Sequence, residues 1–87
     1  MEVFSFHGDL ISDYHKNKGD AYLTIKNDST IDDAIVQVPI FNYKYYTVFD
    51  KNNKKLDLVG SVNNCVTFKV PPRYNGTLTI GFREPIS

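Results

Sequence analysis

An all-β fold, an antiparallel β-sandwich of six to seven short strands, is what this sequence predicts. Three observations carry the expectation. β-Branched and aromatic residues alternate with polar ones over short runs, the period-2 pattern of half-buried strands. Clusters of Asn, Gly and Pro fall between the runs, where tight turns need their backbone freedom or rigidity. No stretch keeps a helical period over the ~10–12 residues that a helix usually takes.

Taken in order, residues 3–7 alternate, with Phe4 and Phe6 on one face and Val3, Ser5 and His7 on the other. Residues 8–20 read as a loop, rich in Gly, Asp and Lys; Leu10, Ile11 and Tyr14 have helix-like spacing, enough for one short turn. Residues 21–26 alternate again, with Ala21, Leu23 and Ile25 inward. Asn27-Asp28-Ser29-Thr30 is a turn cluster, and Ala34, Val36 and Val38 share the face of the next strand.

The chain is organised around residues 36–49, its longest run of β-branched and aromatic residues. Pro39 cannot donate to a ladder, so it marks a kink at an edge, a bulge or a strand end. From Ile40 to Asp50 a second strand is expected, central in its sheet. Phe41, Tyr43, Tyr45, Thr47 and Phe49 fall on one side of it, and Asn42, Lys44, Tyr46, Val48 and Asp50 on the other.

Lys51-Asn52-Asn53-Lys54 reads as a hairpin loop, because Asn tolerates positive φ. Residues 55–60 pair back, with Leu56 and Leu58 on one face, and residues 61–64 make another turn. In residues 65–70, Val66, Phe68 and Val70 point in while Cys65, Thr67 and Lys69 point out. Residues 71–76 form a turn through Pro71-Pro72 and Asn75-Gly76. The last strand, residues 77–83, turns Leu78, Ile80 and Phe82 inward, and Pro85 stops it. The whole is Ig-like or jelly-roll-like in class.

The 87 residues are expected to form a single β-sandwich domain, residues 1–87, with a modest core. Hydrophobic residues at 41% argue against disorder. Ten basic and ten acidic residues cancel, so no nucleic-acid partner is expected, since phosphate binding draws on a basic surplus. The single cysteine, Cys65, cannot staple the fold. No apolar run approaches the ~20 residues of a membrane-spanning helix. The start lacks the pattern of a signal peptide. Strand-like residues close to both ends suggest a piece of a longer chain.

Little chemistry is visible. His7 and His15 have no Cys or carboxylate at ligand spacing, so no metal and no cofactor is expected. Asp28, Asp32 and Asp33 read as a solvated turn rather than a calcium loop. Cys65 with either histidine is formally a nucleophile and base, but no orienting group or oxyanion loop accompanies them, and no enzyme is expected. The triplets Asn27-Asp28-Ser29 and Asn75-Gly76-Thr77 are glycosylation sequons in turns, where both would be accessible. The candidate ligand-binding residues are Tyr43, Tyr45 and Tyr46, with Tyr22 and Tyr74 beside them. Exposed tyrosines stack on sugar rings or bases and still hydrogen-bond. Core packing is the competing role for the same rings.

Several of these segments together resemble one family. Val36-Gln37-Val38-Pro39, then Tyr43-Lys44-Tyr45-Tyr46-Thr47-Val48, Asp50 and a hairpin to Leu56 are similar to the C-terminal extracytoplasmic β-domain of YfhO-type bacterial multi-pass membrane proteins, which are related to membrane glycosyltransferases. The run from Val70 through Pro71-Pro72-Arg73-Tyr74-Asn75-Gly76 to Phe82, followed by Pro85, fits the ending of that domain. The similarity spans about residues 20–85. A Trp that usually follows the Tyr-Tyr pair is absent, and Asn52-Asn53 stand where Gly is common. The resemblance implies a non-catalytic accessory domain at the extracytoplasmic face of the bacterial cell membrane, involved in cell-envelope glycan handling. Its implied partners are the membrane-embedded remainder of the same chain, and a glycan or another envelope protein. The alternative is an independent carbohydrate- or protein-binding sandwich that uses the Tyr43, Tyr45, Tyr46 face.

Overall fold

The computed structural model describes residues 4–5, 10–60 and 64–83. His7, the first part of the 61–64 turn and the Pro85 stop lie outside the described residues. The described residues contain no helix and form eight antiparallel strands in two layers. These are β1 (Phe4–Ser5), β2 (Leu10–Asn17), β3 (Asp20–Lys26), β4 (Ala34–Phe41), β5 (Tyr46–Phe49), β6 (Lys55–Leu56), β7 (Cys65–Val70) and β8 (Asn75–Phe82). One sheet has the order β1-β4-β7 and the other β2-β3-β8-β5-β6. The expected antiparallel β-sandwich is therefore the observed architecture.

The core lies where alternation puts it. Leu23 and Ile25 of β3, Val36 and Val38 of β4, Val48 of β5, Val66, Phe68 and Val70 of β7, and Leu78 and Ile80 of β8 are fully buried between the sheets. Burying each such side chain stabilises the fold by about 1.5–3 kcal/mol.

Five local readings are corrected. Residues 10–17 are a strand, not a loop with a helical turn. β2 pairs with β3 through Ser12↔Thr24 and His15↔Tyr22, so Asp13 and Tyr14 together face the single residue Leu23. This is a β-bulge, with Asp13 at φ 55. The extra residue reverses the parity of the strand, turning Tyr14 toward the core while His15 faces out. A bulge spaces inward residues three apart, which mimics a helical repeat in the sequence. Lys18 and Gly19, at φ 53 and 88, then close a two-residue hairpin of the kind that matches strand twist.

Pro39 does not end its strand. β4 runs through it to Phe41, and three β4 residues between Gln37 and Phe41 face one residue of β7, a bulge that accommodates the missing N–H. The break comes later, at residues 42–45, where Tyr45 takes φ 73. Residues 40–50 are thus not one strand.

The third correction is at β6. Leu56 pairs with Val48 of β5, but Leu58 bridges Phe68 of β7, and the Lys69 amide donates to the Asp57 carbonyl at 3.0 Å. The segment passes from one sheet to the other. The fourth concerns the outward parity of β7: Cys65 and Thr67 are buried while Lys69 is exposed, so only part of that face of the three-stranded sheet is covered. Phe82, expected inside, is exposed.

Two of the connections between layers, residues 27–33 and 71–74, meet at one end. The Asn27 amide donates to the Tyr74 carbonyl at 2.8 Å, and the Arg73 amide to the Ser29 carbonyl at 2.9 Å. The Lys51 amide donates to the Tyr74 hydroxyl at 2.8 Å, and that hydroxyl donates to the Thr77 carbonyl at 2.6 Å. Three loops are tied there. Since β4 and β8 start at this end and β5 finishes there, the 42–45 turn and Phe82 occupy the opposite one.

Candidate functional site

The far end of the sandwich carries the sequence-predicted tyrosines. Phe41 (58%), Tyr43 (64%), Tyr45 (37%) and Phe82 (47%) are exposed, and Tyr46 is half-buried against the core. The rings meet in small groups. Phe41 and Tyr43 have centroids 4.7 Å apart, tilted by 45°. Phe82 takes Tyr45 and Tyr46 edge-on, at 6.0 and 5.8 Å, both at 77°. The Lys44 ammonium lies 5.1 Å over the Tyr45 ring.

Local backbone bonds hold this turn in place. The Asn42 amide donates to the Asn64 carbonyl at 2.7 Å, the Tyr43 amide to the Phe41 carbonyl at 2.9 Å, and the Arg83 amide to the Tyr45 carbonyl at 2.9 Å. Tyr45 sits in the left-handed region, an uncommon place for a bulky residue and one that stores strain. Tyr45 and Tyr46 thus meet through Phe82, while Tyr43 pairs with Phe41. Phe41 stands two residues from Tyr43, so its place in the patch was legible once a turn was drawn there.

Tyr22 and Tyr74 are elsewhere. Tyr74 is buried at the opposite end, where it hydrogen-bonds with both Lys51 and Thr77; burial pushes its phenol above the usual tyrosine range, the Lys51 amide opposes that, and Asp50 adds to it. Tyr22 lies on the outer face of the five-stranded sheet, stacked on His15 with centroids 5.3 Å apart and planes 19° apart. Cross-strand register places His15, Tyr22, Thr79, Phe49 and Lys55 in one row across this sheet.

Beside the row, Arg83 grips Asp20 with two N–H···O bonds of 3.0 and 2.9 Å, and its guanidinium lies 5.7 Å from the Phe49 ring centre. The hydrogen bond from Arg83 holds the Asp20 carboxyl below its ordinary range; burial works against this and the charge of Arg83 with it. A side chain at Gly81 would overlap both partners, so the pair needs glycine beneath it.

Among the described residues the chemistry sought in the sequence is not assembled. Cys65 is buried in β7 of one sheet, while His15 is exposed on the outer face of the other. Among the described residues no group of three or more His, Cys, Asp or Glu could hold a metal ion. Asp28, Asp32 and Asp33 are exposed, and the Ser29 hydroxyl caps their turn by accepting the Asp32 amide at 2.9 Å. Asn27, expected to be an accessible sequon, is buried. Asn75 is exposed at the start of β8. Among the described residues no helix is long and apolar enough to cross a membrane.

No family model matches the chain, and no curated protein or solved structure matches it.

Proposed function

We propose that this domain is a non-catalytic recognition module that docks on a protein partner through its aromatic end. The observation that carries the reading is the exposure of Phe41, Tyr43, Tyr45 and Phe82 together at one end of the sandwich. Clustered exposed apolar side chains mark interaction sites, and aromatic anchors dominate the binding energy of protein interfaces. The rings are tilted by 45–77° against one another rather than laid flat. Tilted rings leave notches between them that take the side chains of a protein partner. The backbone bonds of the turn lower the ordering cost of binding, and the strained φ of Tyr45 fits a turn set for display.

The resemblance to YfhO-type proteins supplies a setting for this module. In that setting it sits at the extracytoplasmic face of the membrane, and the aromatic end meets the membrane-embedded remainder of the chain or another envelope protein. Its role there is accessory to glycan handling.

A photo-crosslinking residue at position 43, in cells that make the full protein, tests the reading. The expected result is a protein adduct absent when the crosslinker is at Lys69, on the three-stranded sheet, and lost when Phe41→Ser is added. No adduct beyond that at position 69 overturns it. So does a glycan whose binding depends on Tyr43, which would return the patch to sugar recognition.

A further inference from the structure

We infer that the protein partner of the aromatic end docks through an acidic segment, with one aliphatic or aromatic side chain seated among the rings and carboxylates on either side of it. The inference rests on the docking reading above and adds the chemistry of the partner.

Charge is unevenly placed along the sandwich. β2 ends and β3 begins at the aromatic end, and Ala21 lies opposite Ile80, so the Lys18-Gly19 turn stands beside Phe82 and Arg83. Lys16, opposite Ala21, and Lys44, between Tyr43 and Tyr45, add to the cationic side. Lys16, Lys18 and Lys44 are all exposed. Among the described residues the one carboxylate at this end is Asp20, and Arg83 occupies both of its oxygens, at 3.0 and 2.9 Å. Lys16, Lys18 and Lys44 thus have no ion pair among the described residues. The opposite end is balanced. There Lys26 meets Asp28 at 3.9 Å, and Asp33, Asp50 and Asp57 line one cleft with Lys54 and Lys69.

Rings and charges have different tasks. The tilted pairs Phe41–Tyr43 and Tyr45–Phe82 leave apolar notches, the kind of centre in which anchors carry most of the binding energy. The lysines lie around them as a rim, where charge governs the rate and the choice of partner. The Lys44 ammonium, 5.1 Å over the Tyr45 ring, borders a notch directly. A carboxylate next to the seated side chain meets that ammonium, and a basic segment is repelled. An anionic membrane surface also attracts rings and lysines, but recognition of anionic lipid uses clusters of about 4–8 Lys/Arg. Here Arg83 is already committed to Asp20, which leaves fewer.

The test is an NMR titration of the full chain with synthetic peptides of one length, each with a central Phe or Leu flanked by Glu, by Gln or by Lys. The Glu peptides should shift the amides of Lys18, Lys44, Tyr45 and Phe82 at the lowest concentration. Their affinity should fall several-fold as salt is raised, because exposed charges are screened. Lys18→Glu combined with Lys44→Glu should weaken the Glu peptides about ten-fold and tighten the Lys peptides. Unshifted amides in β3 and β7 show that this double variant is folded. Lys55→Glu, at the other end, should change neither affinity. Equal binding of the Gln or Lys peptides overturns the acidic preference and leaves the docking reading standing. Absence of binding by every peptide also overturns the inference, and the crosslink at position 43 then judges the docking reading by itself. Shifts of these amides by phosphatidylglycerol vesicles in place of peptides overturn both and make this end a membrane contact.

Discussion

The side-chain amide of Asn27 donates to the main-chain carbonyl of Pro71, 44 residues along the chain, at 3.0 Å. The same amide group serves the Asp32 carbonyl at 3.0 Å and the Val70 carbonyl at 3.2 Å, while the Asn27 oxygen accepts the Ser29 amide at 3.1 Å. Two loops that cross between the sheets are made into one structure by a residue only 2% exposed.

Asn27→Ala should therefore cost about 1–3 kcal/mol, since buried carbonyls lose their donor. Asn27→Asp should cost more at neutral pH, because it sets a carboxylate against carbonyl oxygens. Urea unfolding of the two variants checks the order. If Asp is tolerated better than Ala, the hydrogen-bond assignment is wrong.

Tyr74 and Tyr14 should respond in opposite directions to loss of the hydroxyl. Tyr74→Phe strands the Lys51 amide and the Thr77 carbonyl and should destabilise by about 1–3 kcal/mol. Tyr14→Phe removes a buried hydroxyl with no partner among the described residues and should stabilise. Both phenols are raised in the folded state by burial. Their contribution is thus fully present below the unfolded value of about 10, and is lost as pH rises through the folded values. Each Phe variant should soften the alkaline loss of stability seen in the wild type.

At the acid end the governing pair is Asp20 and Arg83. Asp20 is depressed in the folded state, so its contribution is present above the unfolded value of about 3.9 and lost as pH falls through the folded one. Side-chain exposures of 45% for Arg83 and 22% for Asp20 keep the pair to about 1 kcal/mol or less. Asp20→Asn should flatten the acid limb of the stability profile below about pH 4. Gly81→Ala should do the same, because its methyl group would displace the guanidinium from the carboxylate. An unchanged acid limb in both variants would remove the pair from the account.

Tyr45 tests the strain in the displayed turn. Both Tyr45→Ala and Tyr45→Gly lose the ring contact with Phe82. Only glycine adopts positive φ without cost, and the left-handed conformation costs other residues about 1–2 kcal/mol. The glycine variant should be the more stable of the two by about 1 kcal/mol in thermal or urea unfolding. The reverse order would mean that the turn relaxes in solution.

Several elements were legible because local rules decide them. Residues 21–26 alternate cleanly and bury the face that alternation assigns; residues 65–70 bury that face too, with Cys65 and Thr67 besides. The 51–54 hairpin follows from its Asn residues. Asn53 takes φ 61, and the Asp50 carboxylate accepts the Asn52 and Lys54 amides at 2.8 and 2.9 Å. β2 was hidden because one bulge residue broke its period. The stack of His15 on Tyr22 was hidden with it, because nothing local in the sequence shows that the two rings meet across strands. The Lys18-Gly19 turn was the available signal, since two strands flanking a glycine turn invite pairing.

The sequence by itself determined the all-β class, the strands apart from β2 and from the break at residues 42–45, and that Leu23, Val36, Phe68, Leu78 and Ile80 make the core. Those properties follow from side-chain type and from which neighbours share a face. Only the tertiary structure decided that Asn27 and Cys65 are inside, that Phe82 is outside, and that Tyr74 pins one end while Tyr43 and Tyr45 stand free at the other. Alternation says which way a side chain points, but burial depends on whether another layer or loop arrives to cover it. That arrival is fixed by pairings between residues dozens of positions apart.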